Sequence, residues 1–204
     1  MLTINNTEIG KNKKPYIIAE MSGNHNKSLD RALEIVKAAA DTGANALKLQ
    51  TYTADTITLK VKNEDFLIKD KNSLWNNRYL HDLYDEAHTP WEWHEPIIKL
   101  ANKLGMMCIS TPFDNTAVDF LEGLGVELYK VSSFEMVDIP LIKAVAATGK
   151  PVIMSTGMAS PQEIDEAVAA AKGEGNDQII LLKCTSTYPA PPDATHLSAI
   201  PTLA

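Results

Sequence analysis

Short apolar runs recur along the chain, and each turns polar toward one end. Pro15 to Glu20 closes on a carboxylate, Ala46 to Gln50 carries a lysine and an amide, and Met106 to Ser110 closes on a hydroxyl. Leu128 to Ser133 supplies a lysine and two hydroxyls, Pro151 to Ser155 a hydroxyl, and Ile179 to Lys183 a lysine. Between these runs the apolar period lengthens from two to about 3.6, the change from strand to amphipathic helix. Alternation along a strand sets Tyr16, Ile18 and Glu20 on one face, as it does Ala46, Lys48 and Gln50, and Ile179, Leu181 and Lys183. An ammonium group taken out of water needs an anion or a carboxylate beside it. The common polar end of the strands is therefore where chemistry is expected.

The helices between the strands carry their own punctuation. Ser28 is placed to cap a helix with apolar positions Leu29, Ala32, Leu33, Val36 and Ala40, closed by Gly43. Thr89-Pro90-Trp91-Glu92 has the form of a capping box opening a helix to Leu104, and Ser160-Pro161-Gln162-Glu163 repeats it for a helix through Ala171. Further helices are expected after Asp114, to about Leu124, and from Ile139 to Thr148. The long stretch from Tyr52 to His88 is expected to cover the polar end of the sheet, with Trp75 to Tyr84 as a helix inside it.

About six strand-helix units alternating without a break give an α/β chain with a parallel sheet and right-handed crossovers. A doubly wound sheet and part of a (β/α)8 TIM-barrel type both fit. No Gly-x-Gly-x-x-Gly follows the first strand, and polar groups at nearly every strand end favour the barrel. Residues 1–204 then form a single partial barrel domain, truncated after about six units, either a fragment of a longer protein or an unusual closure.

Composition narrows the partners. Of 204 residues 45% are hydrophobic and 22% charged, with a formal charge of -7, which argues against nucleic acid as the main partner. No apolar run reaches the roughly 18 to 20 residues of a membrane span, and the N-terminus has no basic-then-apolar leader, so a cytoplasmic protein is expected. Cys108 and Cys184 lie in apolar runs and are expected to be small buried hydrophobes. His25 is expected to order its loop or to face substrate, His81, His88, His94 and His196 to pack or lie at the surface, and Trp91 and Trp93 to pack the start of their helix.

The residues Ile17-Ile18-Ala19-Glu20 with Asn24-His25-Asn26, Lys48-Leu49-Gln50-Thr51, Ser110-Thr111-Pro112-Phe113-Asp114, Tyr129-Lys130-Val131-Ser132-Ser133, Lys150 to Met158 and Cys184 to Pro189 resemble the sialic acid synthase family, in order and across nearly the whole chain. Leu47 to Asp55 and Tyr84 to His94 are most similar to its pseudaminic acid synthase branch. The resemblance implies condensation of phosphoenolpyruvate with the open-chain aldehyde of an acetamido sugar, giving a nine-carbon 2-keto acid and phosphate. N-acetylneuraminate or legionaminate synthesis is the neighbouring alternative, and a fragment that binds phosphoenolpyruvate or a partner chain without turnover is one of another class.

Carried onto this sequence, the resemblance implies phosphoenolpyruvate binding by Lys48, Thr111, Lys130, Ser133 and Ser155, sugar contacts by Gln50, Ser186 and Tyr188, and acid/base work by Glu20. Many relatives have asparagine where this chain has Ser186. A divalent metal such as Mn2+ is implied, with ligands outside this chain, so no histidine here is assigned to it. A homodimer is implied for the full-length protein, as is an antifreeze-like C-terminal domain that this sequence lacks.

Overall fold

A computed structural model describes residues 2–71, 73–187 and 190–203. Asn5 and Asn6 both take left-handed backbone angles, φ 43° and 60°. They join β1 (Leu2–Ile4) to β2 (Thr7–Ile9) in an antiparallel hairpin with Ile4 opposite Thr7. Two successive positive φ values are what a two-residue hairpin turn requires, and asparagine tolerates them best after glycine. This hairpin was not among the elements expected from the apolar pattern.

Strands and helices then alternate. β3 (Ile18–Glu20), α1 (Leu29–Asp41), β4 (Ala46–Thr51), α2 (Ala54–Ile57), α3 (Leu80–Ala87) and α4 (His94–Lys103) precede β5 (Met107–Pro112) and α5 (Asn115–Gly123). After these come β6 (Tyr129–Val131), α6 (Ile139–Ala147), β7 (Val152–Ser155), α7 (Pro161–Gly173), β8 (Ile179–Leu182) and α8 (Ile200–Leu203). The six-stranded sheet runs in chain order, β3-β4-β5-β6-β7-β8. The pairs β3/β4, β5/β6, β6/β7 and β7/β8 are parallel. A doubly wound sheet reverses its strand order midway, whereas an unbroken sequential order is that of the TIM-barrel type. The fold is the second, over six of its units.

By compactness the chain divides into two units, Pro15–Cys108 and Met1–Lys14 with Ile109–Ala204. In the first, α1 buries Ala32, Val36 and Ala39 at helical spacing against Leu47 and Leu49 of β4 and Ile97 and Ala101 of α4. Each large aliphatic side chain taken fully out of water there contributes about 1.5 to 3 kcal/mol. Ser28 caps α1 by accepting from Arg31 N–H at 3.2 Å, as its position predicts. In the second unit, α6 packs against α5 and α7. Asp114 caps α5, Asp138 caps α6 with Leu141 N–H at 3.0 Å, and Ser160 with Glu163 forms the reciprocal box that opens α7.

Three sequence expectations shift. The helix expected over Trp75 to Tyr84 instead spans Leu80–Ala87, because Ile68 N–H donates to Arg78 carbonyl oxygen and Asn77 N–H to Ile68 carbonyl oxygen, which holds Asn77 and Arg78 out of helix. The strand expected from Val126 contracts to Tyr129–Val131. The box at Thr89 does not form: Trp91–Trp93 is a single 3-10 turn, α4 begins at His94, and neither start has a side-chain cap.

Candidate functional site

Register places the candidate side chains. In the unit Pro15–Cys108, Glu20 and Lys48 are Cα partners of parallel strands, so they share a face, with Gln50 two residues further along it. Leu47 and Leu49 point the other way, into the helices. Lys48 Nζ pairs with Glu20 Oε2 at 2.5 Å, the lysine side chain 12% exposed and the carboxylate 42%. Glu20 Oε1 also accepts from Ser22 N–H at 3.0 Å. The expected acid/base residue and one expected phosphoenolpyruvate lysine are thus brought together as an ion pair.

The loop after β3 is ordered from behind by histidine. Lys27 N–H reaches His25 Nδ1 at 3.2 Å, and a backbone N–H can only donate, so Nδ1 is the bare nitrogen. Nε2–H then donates to Thr89 Oγ1 at 3.1 Å. The Thr89 hydroxyl thus meets His25 and caps no helix. His25 is fully buried and meets Trp93 edge-on at 5.5 Å, so it orders its loop. Burial, with Lys27 and His88 nearby, holds its imidazole below the ordinary range.

His94 takes the opposite tautomer. Its Nδ1 lies 3.3 Å from Pro90 carbonyl oxygen, which can only accept, so Nδ1 carries the proton and Nε2 accepts from Thr51 Oγ1 at 2.8 Å. Burial pushes this ring down to about 4. Thr51 ends β4, one residue beyond Gln50, so the pin fixes the end of the strand that carries Lys48.

In the other unit, Tyr129 sends its hydroxyl to Glu122 Oε1 of α5 at 2.6 Å, which identifies the helix-facing side of β6. Lys130 therefore faces away from the helices, aligned with Ile153, and Ser155 lies two residues on along the same face. The pairing of Ser110 with Tyr129 sets Thr111 on that face as well. Thr111, Ser133 and Ser155 are all buried. At the strand ends Gly157 N–H donates to Ser133 Oγ at 3.3 Å. Thr156 ties the same loop to Leu182 carbonyl oxygen through its hydroxyl, 3.0 Å, and its N–H, 3.1 Å. A side chain at Gly157 would meet Ser186 and Cys184, so those residues stand beside Ser133.

Sequence reasoning missed two members of this cluster. Gly157 lies in the run from Lys150 to Met158, where its residue type alone suggests no role. Glu135 accepts a hydrogen bond from Ser132 Oγ, and burial raises its carboxyl above the usual range against the opposing pull of Lys130. Its spacing from Lys130 across a strand exit was the only available signal.

Two expectations are corrected. Lys183 lies outside β8, and register puts Leu181 opposite Met154 on the helix side, as Val131 and Tyr129 are. Lys183 accordingly lines a groove with Leu181, Val168 of α7 and Ile200 of α8, and its ammonium donates to Cys184 carbonyl oxygen at 2.9 Å. Cys184 is only half-buried, because β8 stops at Leu182, whereas Cys108 is buried as expected. The proposed sugar contact Tyr188 lies outside the described residues. Among the described residues no three His, Cys, Asp or Glu side chains converge as metal ligands. No group among them is assigned to the divalent metal that the resemblance implies. No helix among the described residues is long and apolar enough to cross a membrane.

A model of the NeuB family matches residues 35–204. The chain belongs to the NeuB family. Among its NeuB relatives, it is 44% identical over 191 residues to the pseudaminic acid synthase of Campylobacter jejuni serotype O:2, covering 94% of this chain and 55% of that one. It is 42% identical over 187 residues to the pseudaminic acid synthase of Helicobacter pylori, covering 91% of this chain and 54% of that one. The crystal structure of N-acetylneuraminic acid (sialic acid) synthetase from Leptospira borgpetersenii superposes with a TM-score of 0.83 at 34% identity, covering 99% of this chain and 65% of that one. The NeuB chain thus spans about half the length of the curated relatives it matches.

Proposed function

We propose that this chain is part of a pseudaminic acid synthase, condensing phosphoenolpyruvate with the open-chain form of an acetamido sugar. The observation that carries the reading is the 44% identity to a pseudaminic acid synthase over 94% of the chain. The methylene carbon of phosphoenolpyruvate attacks the aldehyde carbon and the aldehyde oxygen takes a proton. Water adds at the neighbouring carbon and loses a proton, and the tetrahedral intermediate expels phosphate by C–O cleavage to leave the 2-keto acid.

The chain's residues match the needs of that substrate. Phosphoenolpyruvate carries a carboxylate and a phosphate, so lysines offset its charge while hydroxyls give direction. Lys48, Thr111, Lys130, Ser133 and Ser155 are proposed for it, with Gln50, Ser186 and Tyr188 for the sugar. Glu20, open to solvent on one side and fixed by Ser22 and Lys48 on the other, is the proposed acid/base residue. The full-length protein is proposed to be a cytoplasmic homodimer, and this half-length chain alone to be inactive.

The test is phosphate release by the full-length protein given phosphoenolpyruvate, Mn2+ and each candidate acetamido sugar in turn. Release with the pseudaminic acid precursor above the sialic and legionaminic acid precursors is expected. No release with any sugar would remove the reading.

A further inference from the structure

Gly157 stands in the loop after β7, where its N–H donates to Ser133 Oγ at 3.3 Å. A hydroxyl oxygen that receives this bond keeps its own proton for another acceptor. Gly157 is not among the residues with left-handed φ, so glycine is not needed there for backbone freedom. It is needed for room. A methyl group built on Gly157 would collide with Ser186 Oγ, and would lie 2.9 Å from Ser133 Oγ and 3.3 Å from Cys184 Cβ.

We propose that Gly157 is a positioning residue, whose N–H and missing side chain hold the Ser133 hydroxyl as a donor toward an anionic group of the substrate, with Ser186 filling the space a side chain would take. Any side chain at 157 pushes both hydroxyls aside and turns the Ser133 donor away. The proposal rests on the phosphoenolpyruvate reading and adds a residue that touches no substrate itself.

Steady-state kinetics of the full-length protein test it, with phosphoenolpyruvate varied. Gly157→Ala is expected to lower kcat/KM for phosphoenolpyruvate about tenfold or more, the range for losing a hydrogen bond to a charged group, mostly through KM. In a Ser133→Ala, Ser186→Ala background, which lacks both crowded hydroxyls, the same substitution is expected to change kcat/KM less than about twofold, since it acts through them. A glycine needed for some reason other than these two hydroxyls would lower the value by equal factors in both backgrounds, and that result overturns the proposal, as does a wild-type KM in Gly157→Ala. If Gly157→Ala does not fold but the triple variant does, the crowding is supported. If neither folds, something other than the two hydroxyls excludes the methyl, and the proposal falls. A wild-type protein that does not use phosphoenolpyruvate removes the functional reading itself, a distinct outcome read in the first assay.

Discussion

Glu20 and Lys48 are Cα partners across β3 and β4, and their side chains close a 2.5 Å ion pair with the lysine covered and the carboxylate open. The asymmetry separates structure from chemistry. A fully buried pair broken on one side costs about 3 to 5 kcal/mol, but with Glu20 42% exposed water replaces much of the lost partner, so about 1 kcal/mol is the expected cost here. Glu20→Gln keeps an acceptor for Ser22 N–H and removes the proton carrier. In the full-length protein it should melt close to wild type while kcat falls about 10²- to 10⁴-fold, the usual range for a general acid or base. A lowered melting temperature with unchanged kcat would make Glu20 a structural partner of Lys48 only.

His94 predicts a pH dependence. Its folded value near 4 lies below the ordinary 6.5, so the unfolded chain binds the extra proton first. The stability from keeping this ring neutral is fully present above pH 6.5 and is lost as the pH falls toward 4, about 3 kcal/mol in all. Carboxylates titrate in part of the same window, so the informative quantity is a difference. The melting temperature of wild type should fall more steeply between pH 6.5 and 4 than that of His94→Gln, whose amide can still accept from Thr51. Parallel curves would show that the ring is not held neutral by its surroundings.

What could be read from the sequence was local. Ser28 and Ser160 cap the helices that follow them because a cap needs only the next three residues, and the strand centres followed from apolar runs. Thr89 had the same local signature and did not cap; its hydroxyl instead meets His25, 64 residues away in sequence. Alternation grouped Ile179, Leu181 and Lys183 correctly on one face, but parity does not say which face meets the helices. The hairpin at Asn5-Asn6 carried a turn signal too short to stand out beside the longer runs. Gly157 was invisible because the atoms that crowd it come from Ser133 and Ser186, on other loops.

The two cysteines offer a probe of the site. Cys108 is 5% exposed on β5, and burial pushes its thiol up to about 12, so almost no thiolate is present at neutral pH and little could be reached. Cys184 is half-buried beside Gly157 and Ser186. A disulfide reagent such as dithiobis(nitrobenzoate) should label Cys184 in the native protein and Cys108 only on unfolding, with Cys184→Ser abolishing the native reaction. If phosphoenolpyruvate is held by Ser133, it covers the loop next to Cys184 and should slow that labelling in proportion to site occupancy, with half-protection at the concentration that half-saturates binding. Labelling of Cys184 at one rate with and without saturating phosphoenolpyruvate would place the bound anion away from Ser133 and Gly157. Protection without any change in the Ser133→Ala variant would mean that another group, with Lys130 the first to substitute, carries the contact.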